Sequence, residues 1–177
     1  TFRNSVGDST VKGFGGSTAD TANDSVVFAA GATSLTIDFA EGNDSLRLSK
    51  GATNATIAAA GGNDSIFANL SLEGSSISAG AGDDSISLSV ATGSSIRGGS
   101  GADSIDLGSA VSTQVYTNQG DDYITAGKAT SSTLSGGAGN DSITVGGNLV
   151  GSKVVGNSGA DSITVTGTAS SSYVVGG

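Results

Sequence analysis

Cysteine, histidine, methionine, tryptophan and proline are all absent from this chain. Without cysteine there can be no disulfide and no thiolate metal site. Without histidine the commonest general base and a common zinc ligand are missing, and without methionine as well the usual haem ligands are gone. Without proline the 30 glycines cannot belong to a collagen-like segment, so they read as tight turns. No run of about 20 apolar residues is present to cross a membrane as a helix. Positive charge is scarce too: 7 Lys and Arg face 16 Asp and Glu, a net charge of −9. That balance argues against a nucleic-acid partner and points to cations. Apolar residues make up 36% and aromatics 5%, which is thin for a conventional globular core. No secretory signal is visible and the first residue is not Met, so the chain reads as processed or as part of a longer array.

What is present is a repeat. Aspartates recur at Asp24, Asp44, Asp64, Asp84, Asp103, Asp122, Asp141 and Asp161, at an interval of about 20 residues that varies by a single position. Most are followed by Ser and then an aliphatic residue, and Asn4-Ser5-Val6 is a degenerate further copy. Counting positions from each Asp exposes apolar columns. At +2 stand Val26, Leu46, Ile66, Ile86, Ile105, Ile124, Ile143 and Ile163; at +4 stand Phe28, Leu48, Ala68, Leu88, Leu107, Ala126, Val145 and Val165. This alternation is a strand signal. At −7 run Ile37, Ile57, Ile77, Ile96, Val115, Leu134 and Val154, marking a second strand. Ala32, Ala52, Leu72, Ala91, Ala110, Ala129 and Leu149 form a further column at −12. Ala169 and Val174 continue the −12 and −7 columns.

The pattern predicts an all-β, parallel β-solenoid of about eight or nine coils, each with two short strands and two turns. Coils stacked about 4.8 Å apart bury aliphatic ladders that no single coil could bury alone. The variation in repeat length falls after the first strand of the coil. Residues 24–177 form the regular array, and residues 1–23, with Val11, Lys12 and Phe14, read as an irregular first coil or partial cap.

The segment before each Asp carries the chemistry. Gly98-Gly99-Ser100-Gly101-Ala102-Asp103-Ser104-Ile105-Asp106 and Gly136-Gly137-Ala138-Gly139-Asn140-Asp141-Ser142-Ile143-Thr144 both fit the calcium nonapeptide G-G-x-G-x-D-x-U-x. The other turns are partial, keeping Gly42, Gly62, Gly82, Gly120 and Gly159 two residues before Asp; the turn before Asp24 has Ala22 there. Calcium takes six to eight hard oxygen ligands, which carboxylates and glycine-turn carbonyls can supply together. The expected metal set is the eight aspartates with carbonyls near Gly42, Gly62, Gly82, Gly98, Gly101, Gly120, Gly136, Gly139, Gly156 and Gly159. Asp83 and Asp121 are expected auxiliary ligands. Half of the 16 acids are this column, and the other eight nearly balance the seven basic residues, so the net charge is almost wholly the ladder. Stacked carboxylates repel, and cations between coils would reverse that sign.

These residues resemble the repeats-in-toxin (RTX) family of secreted bacterial proteins. The resemblance implies a right-handed β-roll, calcium-dependent folding and an extracellular or cell-surface location. The family's usual coil is slightly shorter and has two calcium turns. Here the opposite turn reads Lys50-Gly51-Ala52-Thr53 or Lys128-Ala129-Thr130 and has no carboxylate, so one calcium column along one edge is expected. The chain is similar to the one-calcium variant found in certain bacterial adhesins. In those that bind ice, Thr and Asn flank the turn Gly. The pairs here, such as Glu41/Asn43, Gly61/Asn63, Gln119/Asp121 and Ala138/Asn140, contain no Thr.

The functional expectation is a calcium-stabilised structural module of a surface layer, filament or adhesin, stacking head to tail or against neighbouring domains. Alternatives are a secretion and folding module of a larger toxin or enzyme, and an ice-binding adhesin domain. No catalytic residue, organic cofactor or enzymatic activity is expected: Asp38, Glu41 and Asp106 read as isolated surface acids, and no inserted loop could build a catalytic groove.

Overall fold

The computed structural model describes the strand Ser9–Lys12 and residues 21–177. The degenerate copy at Asn4-Ser5-Val6 and Phe14 of the expected cap lie outside the described residues. Among the described residues every regular element is a strand. Each coil contributes to two parallel sheets, giving a β-solenoid of about eight turns. One sheet is built from Ser9–Lys12, Leu35–Asp38, Thr56–Gly61, Ser76–Ala81, Ser95–Ser100, Gln114–Gln119, Thr133–Ala138, Lys153–Ser158 and Tyr173–Val175, in that order. The other holds the strands that follow each Asp, from Ser25–Phe28 to Ser162–Val165. In the central coils these run on into the −12 column as one strand (Ser65–Glu73, Ser85–Thr92, Ser104–Val111); elsewhere that column is a separate short strand such as Ala129–Thr130. Each coil therefore carries one short strand and one longer strand that is split at most levels.

Register follows the repeat. Ile86 pairs with Ile66 and Ile105, and Ile96 with Ile77 and Val115, so like columns stack on like. The extra residue of the longer coils is absorbed after the +4 position. Opposite Ser85–Thr92 the register shifts by one between Leu88 and Val90, which extrudes Asn69 and Leu70 as a bulge and leaves Leu70 half exposed. At the N-terminal end Val11 aligns with Ile37, more than one period further along the chain, so this first strand departs from the repeat.

The +2, +4, −12 and −7 columns form one continuous core, with Ile163 and Val165 packed partly buried at its end. Outward positions are mostly short and polar; among the larger side chains there, Arg47 lies over Phe67 (4.9 Å) and Arg97 over Tyr116 (5.9 Å), each pair being ladder neighbours.

A further inward column at −9 has no hydrophobic signature. It begins with Leu35 and Ala55 and continues as Ser75, Ser94, Thr113, Ser132 and Ser152, all buried. Each hydroxyl lies at the turn opposite the aspartates, just after a residue held at φ between 49° and 58° (Gly74, Gly93, Ser112, Ser131, Gly151 and Ser171). The hydroxyl donates to a carbonyl two residues back, as Ser132 does to Thr130 at 2.8 Å, and accepts the backbone N–H of the −9 residue one coil earlier, as Ser132 does from Thr113 at 3.1 Å. The set Ala55–Ser75, Ser75–Ser94, Thr113–Ser132, Ser132–Ser152 and Ser152–Ser172 spans 3.0–3.2 Å. A neutral hydroxyl ladder thus zips this edge.

Ser132→Ala should leave the buried Thr113 N–H without an acceptor and destabilise by about 1–3 kcal/mol. The outward Ser104→Ala should stay within about 0.5 kcal/mol. Thermal unfolding in saturating calcium checks both; equal effects would show that the ladder contributes nothing.

Candidate metal centre

One position in the turn calls for glycine. At −2, Gly62, Gly82, Gly101, Gly120, Gly139 and Gly159 hold φ between 116° and 136°, a region open to glycine alone in practice. Their Cα atoms also lie against the coil below, so a Cβ on Gly120 would overlap the Gly101 carbonyl. The tight turn brings each Asp back under the sheet edge, where stacking buries it: Asp44, Asp64, Asp84, Asp103, Asp122 and Asp141 are 1–3% exposed.

The two oxygens of each carboxylate have different fates. Oδ1 accepts the backbone N–H of the Asp one coil earlier, in an unbroken series: Asp24 N to Asp44, Asp44 to Asp64 and Asp64 to Asp84 at 2.7 Å, Asp84 to Asp103 at 3.0 Å, Asp103 to Asp122 at 2.7 Å, Asp122 to Asp141 at 3.0 Å and Asp141 to Asp161 at 2.9 Å. Oδ2 of Asp64, Asp84, Asp103, Asp122, Asp141 and Asp161 is buried and has no hydrogen-bond partner. A buried carboxylate oxygen without a donor is costly in a folded protein. One such atom recurs at coil after coil, which makes it a design feature rather than a local defect.

Burial dominates the electrostatics. Desolvation pushes the Asp64 and Asp103 carboxyls up to about 7 from the ordinary 3.8, against the lowering effect of the backbone hydrogen bond, with repulsion from neighbouring acids adding less. Asp84, Asp122 and Asp141 are raised for the same leading reason. The sequence suggests repulsion between stacked charges as the main strain; the structure puts loss of water first.

The space facing Oδ2 is bounded by the residue at −5. In three coils this is Gly98, Gly136 or Gly156, and a Cβ at any of them would overlap Oδ2 of Asp103, Asp141 or Asp161 respectively. Strand pairing also skips this residue: Arg97 pairs with Tyr116 and Gly99 with Asn118, but Gly98 and Thr117 are not matched. The same gap recurs between Thr117 and Gly136 and between Gly136 and Gly156.

Among the described residues no three acidic side chains converge. A cation here would therefore be held by one column carboxylate with backbone carbonyls, a hard all-oxygen set of the kind calcium accepts. Donorless Oδ2 atoms beside side-chain-free glycines fit that ion.

Asp83 and Asp121, expected as auxiliary ligands, stand in a second ladder at −1. Asp83 Oδ1 accepts the Ala102 N–H at 2.8 Å and Asp121 Oδ1 accepts the Asn140 N–H at 2.7 Å, the role Asn43 plays for Asn63 at 2.7 Å. Both side chains are exposed to solvent to some degree. Glu41 is not isolated. Its carboxylate lies against Gly61, where a Cβ would come within 2.6 Å of Oε2, and it helps raise Asp64.

Sequence comparison matches the RTX calcium-binding nonapeptide repeat, in four copies, over residues 94–110 and 129–148, the segments around Asp103 and Asp141. Comparison with curated proteins and with solved structures gives no match.

The raised carboxyls predict an acid-stabilised metal-free state. With folded values near 7 for Asp64 and Asp103 against an ordinary 3.8, the folded chain binds more protons than the unfolded chain between about pH 4 and 7. The contribution is full below pH 4 and is lost as pH rises through 7. In excess chelator the melting temperature should be higher at pH 4.5 than at pH 7.5, and an equal or lower value at pH 4.5 would refute this. Asp103→Asn keeps an acceptor for the Asp84 N–H and removes the buried charge. It should raise the strand signal that remains in excess chelator at pH 7.5 while weakening calcium binding.

Proposed function

We propose that this chain, which belongs to the RTX hemolysin-type calcium-binding repeat family, is a calcium-stabilised structural module working outside the bacterial cell, as part of a surface layer, filament or adhesin. The observation that carries this reading is the column of buried aspartates whose Oδ2 atoms have no donor from the protein. Calcium ions held by these carboxylates and by turn carbonyls would supply the missing charge and ligands, so the ion acts as part of the fold. Asp64, Asp84, Asp103, Asp122, Asp141 and Asp161 present the orphaned oxygen, and Asp24 and Asp44 continue the column.

The structural role rests on uniformity. Coil length varies by a single residue, taken up by a bulge, and outward positions carry mostly Ser and Thr. Nothing among the described residues gathers three acids at one point, as a hydrolytic groove or a multi-carboxylate metal site would. A rod of stacked coils also presents matching surfaces along its axis. At the level of Tyr173–Val175 the ladders are open: Val174 is 43% exposed and Val175 40%. A further coil, from the same chain or from a second copy stacked head to tail, would cover them.

Circular dichroism during calcium titration tests the central claim. At pH 7.5 the strand signal should be weak in excess chelator and should rise cooperatively with calcium, with magnesium ineffective at equal concentration. Full strand signal in chelator would sink the calcium-folding reading.

A further inference from the structure

The glycine at −5 is not universal. Phe39, Ala59 and Ala79 stand there in the coils of Asp44, Asp64 and Asp84, buried and with no polar side-chain atom to offer. In the coil of Asp122 the position is Thr117, a β-branched residue with no exposed surface. Its hydroxyl donates to the Gly136 carbonyl of the next coil at 2.7 Å, with the Ser135 carbonyl at 3.5 Å. Gly136 is the −5 residue of the Asp141 coil, where the strand ladder skips a pairing. The same hydroxyl lies beside the Asp122 carboxyl. Its proton goes to Gly136, and Oδ2 of Asp122 is still without a bond. A neutral side chain therefore stands between a column carboxylate and a turn carbonyl of the following coil. In the coils of Asp103, Asp141 and Asp161 no side chain occupies that place, because it is Gly98, Gly136 or Gly156.

We infer that Thr117 is a plug in the calcium column: its side chain takes the place of one ion between the coils of Asp122 and Asp141 and so interrupts the run of glycine turns at Gly98, Gly136 and Gly156. The inference rests on the calcium reading proposed above and adds which turn departs from it. The physical basis is competition for one space. Calcium needs several oxygens at about 2.3–2.6 Å, and a buried methyl and hydroxyl at this position exclude it. The hydroxyl satisfies a carbonyl that an ion would otherwise coordinate, with no change in charge. The cost is that Asp122 keeps a buried oxygen with no hydrogen-bond partner.

The test is the number of bound ions per chain. Native mass spectrometry, or metal analysis after equilibrium dialysis against calcium, should show Thr117→Gly binding one ion more than the parent chain. Thr117→Val, which keeps the bulk and loses the hydroxyl, should gain none. The reciprocal Gly136→Thr should bind one ion fewer, so that either direction decides even if one variant folds poorly. An unchanged count in folded Thr117→Gly, a gain in Thr117→Val, or an undiminished count in folded Gly136→Thr would each overturn the plug. A parent chain that binds no calcium would instead overturn the calcium reading itself.

Discussion

Stacking buries one carboxylate per coil, and the rest of the structure answers to that burial. A carboxylate out of water needs donors or a cation. From Asp44 to Asp161 each finds one donor through Oδ1, the backbone N–H of the Asp one coil earlier, and this bond ties successive coils together. From Asp64 to Asp161 the second oxygen finds none. The aspartates thus order the array and at the same time leave it electrically unfinished.

The two edges of the solenoid solve the same stacking problem with different chemistry. On both, a side-chain oxygen accepts the backbone N–H of the equivalent residue one coil earlier. At the −9 edge the acceptor is a Ser or Thr hydroxyl, which also donates its proton to a nearby carbonyl and is then satisfied. At the other edge the acceptor is a carboxylate, which has no proton to give and carries a charge. The first edge is complete at any pH and without metal. The second keeps buried carboxylate oxygens for which the chain supplies no donor. Thr117 is a local mixture, a hydroxyl set into the acidic edge.

The ladders and the sheet register were legible in the sequence because a near-constant period forces like residues onto like, and a β-strand alternates its faces. Every interior member of the +2, +4, −12 and −7 columns is buried. The −9 column was not legible, since Ser75, Ser94, Thr113, Ser132 and Ser152 look like surface residues until the turn directs them inward. Glu41 reads as an isolated acid because its neighbours, Gly61 and Asp64, are one coil away. Asp83 and Asp121 read as extra ligands by composition, while position −1 puts them in the outer ladder that asparagine otherwise occupies.

Sequence by itself therefore determined the repeat, the coil core, the column of acids and the glycine at −2, all consequences of periodicity and of backbone conformation within one coil. Only the tertiary structure decided which oxygen of each carboxylate is held and which is orphaned, that desolvation outweighs repulsion along the column, and that the opposite edge is closed by hydroxyls. It also decided that Thr117 reaches the carbonyl of Gly136. Each of these depends on atoms about one period apart in sequence, brought within hydrogen-bond range by stacking, and no local pattern specifies how those atoms pair.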